Sequence, residues 1–370
     1  MIQKKIQPAE KNVIFAGSKH NEFTMNKLFL SLAALACLFF FNACSTKVDL
    51  YADYKDIPVV YGLLDANADT NYVKIVRAFS GSDEASVDAT QVALIADSCN
   101  YPGKLDAKLY LYKWVYGNEY VIYDSIVLDT LTIHDKDSGV FYYPNQKVYF
   151  TDKKILTNTN SNKYKYFLQV IKGTDTIKSE TSIVGGEDFK ITNTQVGFVS
   201  EVTDKTGKIK FIPANNAAVY NMEVRFYYKE YRQGVMTQKM VQHSFGMRTT
   251  DEFENSANEN GSFFVTYSQN LLFDMLNSAI GGDTLHVTRT FHPDNSFVIS
   301  LAAGGDELFN YIQINQGAGG LSQNIPDYTN IKGGYGVFSS RVNLEKTVRI
   351  SPRTQTDLIG VRQWAFSQEQ

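Results

Sequence analysis

Cys44 is the residue whose surroundings predict a specific chemical modification. It follows Asn42 and Ala43, and residues 28–41 before them form an apolar stretch of 14 residues. That length is typical of a signal peptide, because a helix needs about 20 residues to cross a bilayer. A small residue directly before a cysteine is where lipoprotein leaders are cleaved after the thiol has been acylated. We therefore predict that residues 1–43 are a leader and that Cys44 carries a lipid; an ordinary cleaved signal or an uncleaved anchor is the alternative.

Met25 is predicted to be the true first residue of this leader. Lys27 supplies a short positive segment before the apolar stretch, whereas residues 1–24 are polar and unpatterned. Bacterial lipoprotein cysteines carry two or three acyl chains, and stable anchoring takes more than one chain. The rest of the protein is thus expected to be tethered to a membrane through Cys44.

A short polar segment alternates oxygen-bearing side chains in the manner of a calcium loop. These side chains are Asp65, Asn67, Asp69 and Asn71. Thr70 stands where a glycine should make the sharp turn, and Val76 stands where a glutamate should close the site. A polar connection between two strands explains the same residues, and we favour it. Asp135 and Asp137 before Gly139 indicate calcium even more weakly.

The sequence predicts no catalytic residue, no metal site and no cofactor. After removal of the leader, the histidines are His134, His243, His286 and His292. Their spacing matches no metal site, and His286 is expected in mid-strand. Cys99 is the one thiol left after acylation, so neither an intrachain disulfide nor a cysteine zinc site can form. A Gly-x-Ser-x-Gly nucleophile motif is absent, whereas a glycosidase carboxylate pair is spatial and leaves no sequence pattern.

Clustered tyrosines are the one candidate binding feature in the body of the chain. They are Tyr110, Tyr112, Tyr116, Tyr120 and Tyr123, and again Tyr227, Tyr228 and Tyr231. Exposed aromatic rows can stack on a glycan or a peptide, since aromatic residues are frequent anchors at binding sites. Half-buried positions in a sheet are the more common explanation of such rows.

Charge excludes one class of partner. The whole chain has 36 basic and 39 acidic residues, and the leader contains five lysines and two glutamates. The remainder therefore carries 31 basic against 37 acidic residues. A nucleic-acid-binding protein should instead be basic, with clustered lysine and arginine.

The elements that must position these residues are mainly β. Strand-like runs are predicted at residues 58–64, 72–79, 107–116, 120–127, 147–151, 163–172, 174–184, 218–231, 235–246, 284–291 and 297–301. Their spacing predicts an immunoglobulin-like β-sandwich over 44–190. A β-rich module is predicted over 191–370, with two short helices at 268–280 and 306–316 and a loop at 251–261.

The last third of the chain contains two recognisable elements. A helical segment carries Phe309 and Tyr311, and after a linker the segment 329–339 reads TNIKGGYGVFS. Its matching positions are Asn330, Ile331, Gly333, Gly334, Gly336 and Phe338. Together they resemble the closing motif of a Bacteroidetes-type family of outer-membrane and surface lipoproteins, known only as a domain of unknown function. The glycines are expected to permit positive φ and close backbone approach rather than to cradle a phosphate.

The resemblance implies two β-rich modules and a gene neighbourhood with TonB-dependent outer-membrane transporters, with no established activity. We expect a lipid-anchored, non-catalytic binding or accessory protein of the outer membrane, partnered with such a transporter. A cell-surface glycan hydrolase and a structural or adhesive surface component are the alternatives. Both a surface-exposed and a periplasm-facing orientation remain open.

Four Asp-Ser/Thr-apolar triplets resemble the O-glycosylation acceptor pattern of the same bacterial group. They begin at Asp124, Asp129, Asp175 and Asp283. A turn residue followed by strand formers produces the same letters, so both readings stay open.

Overall fold

The computed structural model describes residues 56–78, 89–117, 119–134, 137–139, 141–142, 145–159, 161–201, 204–256, 258–259, 261–280, 286–317 and 328–369. The predicted leader and Cys44 lie outside these residues. The described chain is mainly β, as the sequence predicts, with short helices between strands.

Ten elements precede residue 190. They are β1 (Pro58–Leu64), β2 (Asn71–Arg77), α1 (Ala89–Ala93), α2 (Ala96–Cys99), β3 (Asp106–Val115), β4 (Glu119–Val127), β5 (Asp129–Ile133), β6 (Gln146–Thr151), β7 (Tyr164–Lys172) and β8 (Asp175–Ser182). Each strand-like run predicted in this half overlaps one of these strands, whereas β5 was not predicted. Their ends differ from the predicted ends by a few residues, because local pattern defines a strand's centre better than its termini.

Longer strands follow. The elements are β9 (Lys190–Ile191), β10 (Gln195–Val196), β11 (Thr206–Ile212), β12 (Val219–Arg232), β13 (Val235–Thr249), α3 (Thr250–Ser256), β14 (Asn258–Glu259), β15 (Ser262–Ser268), α4 (Leu271–Ile280), β16 (Val287–Phe291), β17 (Phe297–Gly304), α5 (Asp306–Gly317), β18 (Tyr335–Ile350), α6 (Pro352–Gly360), a 3₁₀ turn (Arg362–Trp364) and β19 (Phe366–Gln368). β12 and β13 lie at the predicted runs 218–231 and 235–246 and pair as a long antiparallel hairpin.

Among the described residues, the strands form one large sheet and two smaller ones. The large sheet runs β19-β16-β12-β17-β18-β1-β2-β6-β5, with β13 added to β12 and β10 added to β18. The smaller sheets run β14-β15-β11-β9 and β4-β3-β7-β8. β1 pairs in parallel with β18, so strands from both predicted domains share one sheet.

Two hydrophobic cores lie along this sheet. The first contains Leu109, Tyr166 and Val73 and takes Phe338 from the far end of the chain. The second is formed by Val184 together with buried apolar residues of the strands and helices that follow it in the chain. In the first core, the β4-β3-β7-β8 sheet faces β1, β2 and β6, so the predicted sandwich-like, mainly β architecture is confirmed. The immunoglobulin-like topology and the domain boundary at residue 190 stay predictions.

Alternation of apolar and polar residues explains how these strands pack. Along β7, Tyr164, Tyr166, Leu168 and Val170 are buried, and the residues between them are half-buried on the opposite face. Successive strand residues point to opposite faces, so such a pattern places one face on a core. Full burial of one such apolar side chain contributes about 1.5–3 kcal/mol.

The two predicted helices correspond to α4 and α5, and four further helices among the described residues, α1, α2, α3 and α6, were not predicted. α3 occupies part of the expected loop at 251–261. Its start is a capping box: Thr249 N donates to Glu252 Oε2 (2.7 Å), and Glu252 N donates to Thr249 Oγ1 (3.1 Å). Ser351 caps the start of α6, because its side chain accepts a hydrogen bond from Thr354 N. A proline follows in the first turn of the helix. No helix among the described residues is long and apolar enough to span a membrane.

Candidate functional site

Asn330 and Phe338, two residues of the C-terminal motif, close a loop at the start of β18. Asn330 Nδ2 donates to Phe338 O (2.7 Å), and Phe338 N donates to Asn330 Oδ1 (2.9 Å). Ser179 Oγ donates to Asn330 O (2.9 Å), which ties this loop to β8. The Phe338 ring is fully buried in the first core. These two motif residues therefore hold β18 against the first half of the chain.

The motif glycines allow β18 to approach β1. Gly333 and Gly336 have φ of +85° and +106°, a region that favours glycine. A Cβ at Gly336 would collide with the carbonyl oxygen of Val60, and one at Gly334 would collide with that of Pro58. Gly333 and Gly334 also line an open cavity of about 760 Å³.

Helix α5 places Phe309 and Tyr311, which are both half-buried. The Tyr311 ring meets Tyr61 of β1 edge-on, with centroids 6.4 Å apart and an interplanar angle of 77°. The pKa of the Tyr61 phenol is raised, mainly because the group is partly buried and secondly because it interacts with Tyr311. Tyr311 thus contacts β1, and neither aromatic motif residue is exposed.

Glu307 at the start of α5 is a functional candidate that the sequence did not reveal. Burial raises the pKa of its carboxyl group, although hydrogen bonds partly oppose the shift. Ser339 Oγ donates to Glu307 Oε2 (3.2 Å), and Thr181 Oγ1 donates to the same oxygen (3.3 Å). Through these two hydrogen bonds Glu307 joins α5 to β18 and β8. The sequence did not reveal it, because an acidic residue at the start of a helix is usually exposed and nothing local indicates that this one is buried.

The predicted calcium-like segment makes the connection between β1 and β2. Asp65 N donates to Asn71 Oδ1 (2.6 Å), Asn71 Nδ2 donates to Asp65 O (3.0 Å), and Asn67 N donates to Asp65 Oδ1 (2.9 Å). These polar groups therefore satisfy one another across the turn, in the way expected of a polar hairpin connection. The described residues contain no cluster of His, Cys, Asp and Glu side chains that could hold a metal ion.

The histidines are held by separate local contacts. His286 is not in mid-strand as expected; it precedes β16 with φ of +61°, where a local turn overrides the strand pattern. His134 Nδ1 lies 2.7 Å from Asn145 Oδ1, and His292 Nδ1 accepts from Asp294 N (3.2 Å). The His243 ring packs on that of Phe245, with centroids 4.9 Å apart.

Cys99 is half-exposed at the end of α2 and lines an apolar cavity of about 320 Å³. Its Sγ donates to Ala93 O (3.2 Å). Tyr61 and Phe141 line the same cavity.

Of the first predicted tyrosine row, Tyr110, Tyr112 and Tyr120 are half-buried, whereas Tyr116 and Tyr123 are exposed at the hairpin that joins β3 and β4. Tyr116 at its tip is fully exposed. The Trp114 ring meets Tyr120 edge-on with centroids 4.8 Å apart, and Tyr112 packs on Phe167 at 4.3 Å. The second predicted row is divided between the two faces of β12, and Tyr228 is buried in the second core.

β4 is an edge strand with apolar side chains exposed on both faces. Among the described residues it pairs only with β3, with a bulge at the position of Tyr123. Val121, Ile122, Tyr123 and Val127 have exposed fractions of 38%, 59%, 58% and 62%. We call the exposed side chains Trp114, Tyr116, Val121, Ile122 and Tyr123 the β4 surface. Lys165 lies over the Tyr120 ring at 5.4 Å and Lys113 over the Tyr123 ring at 5.4 Å, so this surface is bordered by positive charge.

The β4 surface lies at the opposite end of β7 from the point where the described chain begins. Lys172 at one end of β7 donates to Asp56 O (2.7 Å), and Tyr164 at the other end pairs with Lys113 beside the hairpin tip. A strand of this length separates its ends by roughly 26 Å.

Three of the Asp-Ser/Thr triplets lie within the described residues. Ser125 N donates to Asp124 Oδ1 (2.7 Å) and Thr130 N donates to Asp129 Oδ1 (2.8 Å), so two triplets share one local geometry. Ser125 and Thr176 are exposed, and Thr130 is half-buried. The fourth triplet, 283–285, lies outside the described residues.

Comparison with known proteins assigns no family to the chain. No protein-family model matches it, and no curated protein matches it. Among solved structures, that of the calcium-binding domain CBD12 of CALX1.1 is similar over 79% of this chain and 99% of its own length, at 7% identity and a TM-score of 0.13. A TM-score this low carries no argument about fold or calcium.

Proposed function

We propose that this protein is a lipid-anchored, non-catalytic binding or accessory protein of the outer membrane, which docks a TonB-dependent transporter through the β4 surface. The observation that carries the proposal is the exposure of Val121, Ile122 and Tyr123 on one edge strand. An edge strand presents unpaired backbone groups, and soluble proteins usually blunt such edges with proline, lysine, a bulge or a covering segment. β4 has a bulge at Tyr123, but its apolar side chains stay exposed. An apolar edge suits the addition of an extended strand from a partner protein.

The position of the β4 surface supports a protein partner. Asp56 lies beside Lys172 at one end of β7, and the β4 surface lies at the other end. Its apolar side chains are exposed there and can be contacted by another protein.

The chemistry of the buried carboxylates favours binding over hydrolysis. A glycan hydrolase is expected to place two carboxylates in one cavity, one of them with a raised pKa. Among the described acidic residues with a pKa shift, only Glu307 has a raised pKa. It accepts hydrogen bonds from Thr181 and Ser339 at the junction of α5, β18 and β8.

Affinity purification of the full-length protein from outer membranes, in mild detergent, tests the proposal. We expect stoichiometric recovery of a TonB-dependent transporter with the natural protein and its loss with the double variant Ile122→Lys/Tyr123→Lys. Val235→Lys is the matched control, because Val235 is also exposed (66%) but lies on the β12–β13 hairpin. Recovery of the lipoprotein alone would overturn the transporter proposal and favour an adhesive role, which the same edge strand could serve.

Anchoring is tested separately with Cys44→Ala. Metabolic labelling with a radioactive fatty acid should mark the natural protein and not the variant, and the variant should leave the membrane fraction. Labelling that persists in the variant would contradict lipidation at Cys44.

A further inference from the structure

Two adjoining cavities open where the two hydrophobic cores meet. One has a volume of about 330 Å³ and the other about 230 Å³. The residues they share are Thr159, Gly185, Gly186, Glu187 and Phe189. We call the two cavities together the junction cleft. Clefts between packed units of a protein are preferred places for small-molecule binding.

Gly185 and Gly186 line both cavities, and polar side chains lie close to each of them. Their φ values are +136° and +131°. A Cβ at Gly185 would lie 3.2 Å from Thr157 Cγ2, and one at Gly186 would lie 2.7 Å from Asn215 Nδ2. Thr157 lines the larger cavity and Asn215 the smaller one. The absence of side chains at both glycines is therefore what lets these two polar residues lie at the cleft.

The cleft offers hydrogen-bonding groups of both kinds. Asn158 Oδ1 accepts from Tyr164 N (2.7 Å), which fixes its amide and leaves the Nδ2 group as a donor. Lys154 and Glu187 line the larger cavity with opposite charges, and neither forms an ion pair with another described residue. Ile155 forms part of the apolar wall.

We propose that the junction cleft binds a neutral, polyhydroxylated ligand, namely a mono- or disaccharide. A sugar hydroxyl donates and accepts at once, so it can use the Asn158 and Asn215 amides as donors and the Glu187 carboxylate as acceptor. Lys154 lines only the larger cavity and Asp188 only the smaller one, so the cleft has one positive and two negative side chains and disfavours an anion. Sugar hydroxyls can donate to these carboxylates.

The larger cavity, of about 330 Å³, lies at the lower end of the range for small-molecule sites, which suits one or two sugar rings. The larger cavity adjoins the β4 surface, because the ring of Tyr164 in its lining lies 6.3 Å from that of Tyr123. Saccharide binding in the cleft does not depend on the proposed function.

Isothermal titration of the full-length protein tests this inference, in a detergent without a sugar headgroup. The ligands are neutral mono- and disaccharides, with free amino acids as zwitterionic competitors for the same charged pair. We expect saccharide binding that weakens about tenfold in Glu187→Gln, because a hydrogen bond to a charged carboxylate is replaced by one to a neutral amide. Asn215→Ala should weaken binding similarly, and Lys178→Gln on the exposed face of β8 should leave it unchanged.

Three results would overturn the inference. They are the absence of saccharide binding up to about 10 mM, a limit corresponding to very weak affinity; preferential binding of amino acids; and saccharide binding that Glu187→Gln and Asn215→Ala both leave intact. Glu187 is exposed, so its variant is expected to fold even if Asn215→Ala does not.

Discussion

Asn330 and Phe338 are joined by two hydrogen bonds of opposite direction. The side-chain amide of Asn330 donates to the carbonyl oxygen of Phe338 (2.7 Å) and accepts from its N–H (2.9 Å). The Asn330 side chain therefore makes the two backbone hydrogen bonds that a neighbouring strand would otherwise make with Phe338. This relationship gives the asparagine of the C-terminal motif a physical purpose.

Asn330→Ala should lower the free energy of unfolding by about 2–4 kcal/mol, because two hydrogen bonds are lost and backbone groups are left unpaired. Urea denaturation followed by circular dichroism measures the change. Asn315→Ala, which removes an exposed contact to Tyr311 O within α5, should have an effect below about 1 kcal/mol. Equal effects of the two variants would contradict the proposed role of Asn330.

Gly336→Ala should be more disruptive, with a loss of about 3 kcal/mol or more. The new Cβ would meet the Val60 carbonyl oxygen, and φ of +106° is strained for alanine. Thermal denaturation checks the effect. Gly360→Ala is the control, because no atom lies within contact distance of its Cβ position and its φ is not positive. A stable Gly336→Ala protein would show that β18 can shift away from β1.

Because of Glu307, the free energy of unfolding should decrease as pH rises. Burial raises the pKa of its carboxyl group, so the folded protein binds this proton more tightly than the unfolded chain does. Its contribution is fully present below the ordinary carboxyl pKa and is lost as pH rises through the raised folded pKa. Glu307→Gln should therefore gain stability relative to the natural protein as pH rises through this window, in urea titrations.

Asp129 supplies the control of opposite sign. A hydrogen bond from Lys104 lowers the pKa of its carboxyl group, so its contribution is present above the ordinary pKa and is lost as pH falls. Asp129→Asn should lose stability relative to the natural protein as pH rises. The same slope in both variants would refute the assignment of the Glu307 shift to burial.

Arg289 and Glu230 form a buried ion pair that fixes the C-terminal segment. Arg289 is only 2% exposed, its Nε donates to Glu230 Oε2 (2.9 Å), and its Nη1 donates to Trp364 O (2.9 Å). Glu230→Gln should lower the free energy of unfolding by about 3–5 kcal/mol, because the arginine charge stays buried without its partner.

A double-mutant cycle with Arg289→Met tests this pair. The double variant should be destabilised by less than the sum of the single variants, since no unpaired charge remains buried. Asp294→Ala breaks an exposed pair with Arg349 (3.2 Å) and should change stability by about 0–1 kcal/mol. Additive effects in the cycle would mean that Arg289 and Glu230 do not depend on each other.

Local pattern predicted most strands and two helices because burial alternates with the period of each element. β7 is an example, since its apolar residues recur at every second position. α3 carried a usable signal, Thr249 followed by Glu252, that the acidic composition of the segment concealed. His286 was misplaced because a positive φ depends on the turn that forms before β16 and not on the strand pattern after it.

The sequence by itself determined the mainly β character, the positions of most strands, and the glycine and asparagine positions of the C-terminal motif. The tertiary structure alone decided that β1 pairs with β18, that β4 is an exposed edge, that Glu307 meets Thr181, 126 residues away, and that a polar cleft surrounds Gly185 and Gly186. The physical reason is range. Periodicity and turn chemistry act over a few residues, whereas strand order, burial of a charge and the walls of a cavity depend on which distant segments meet.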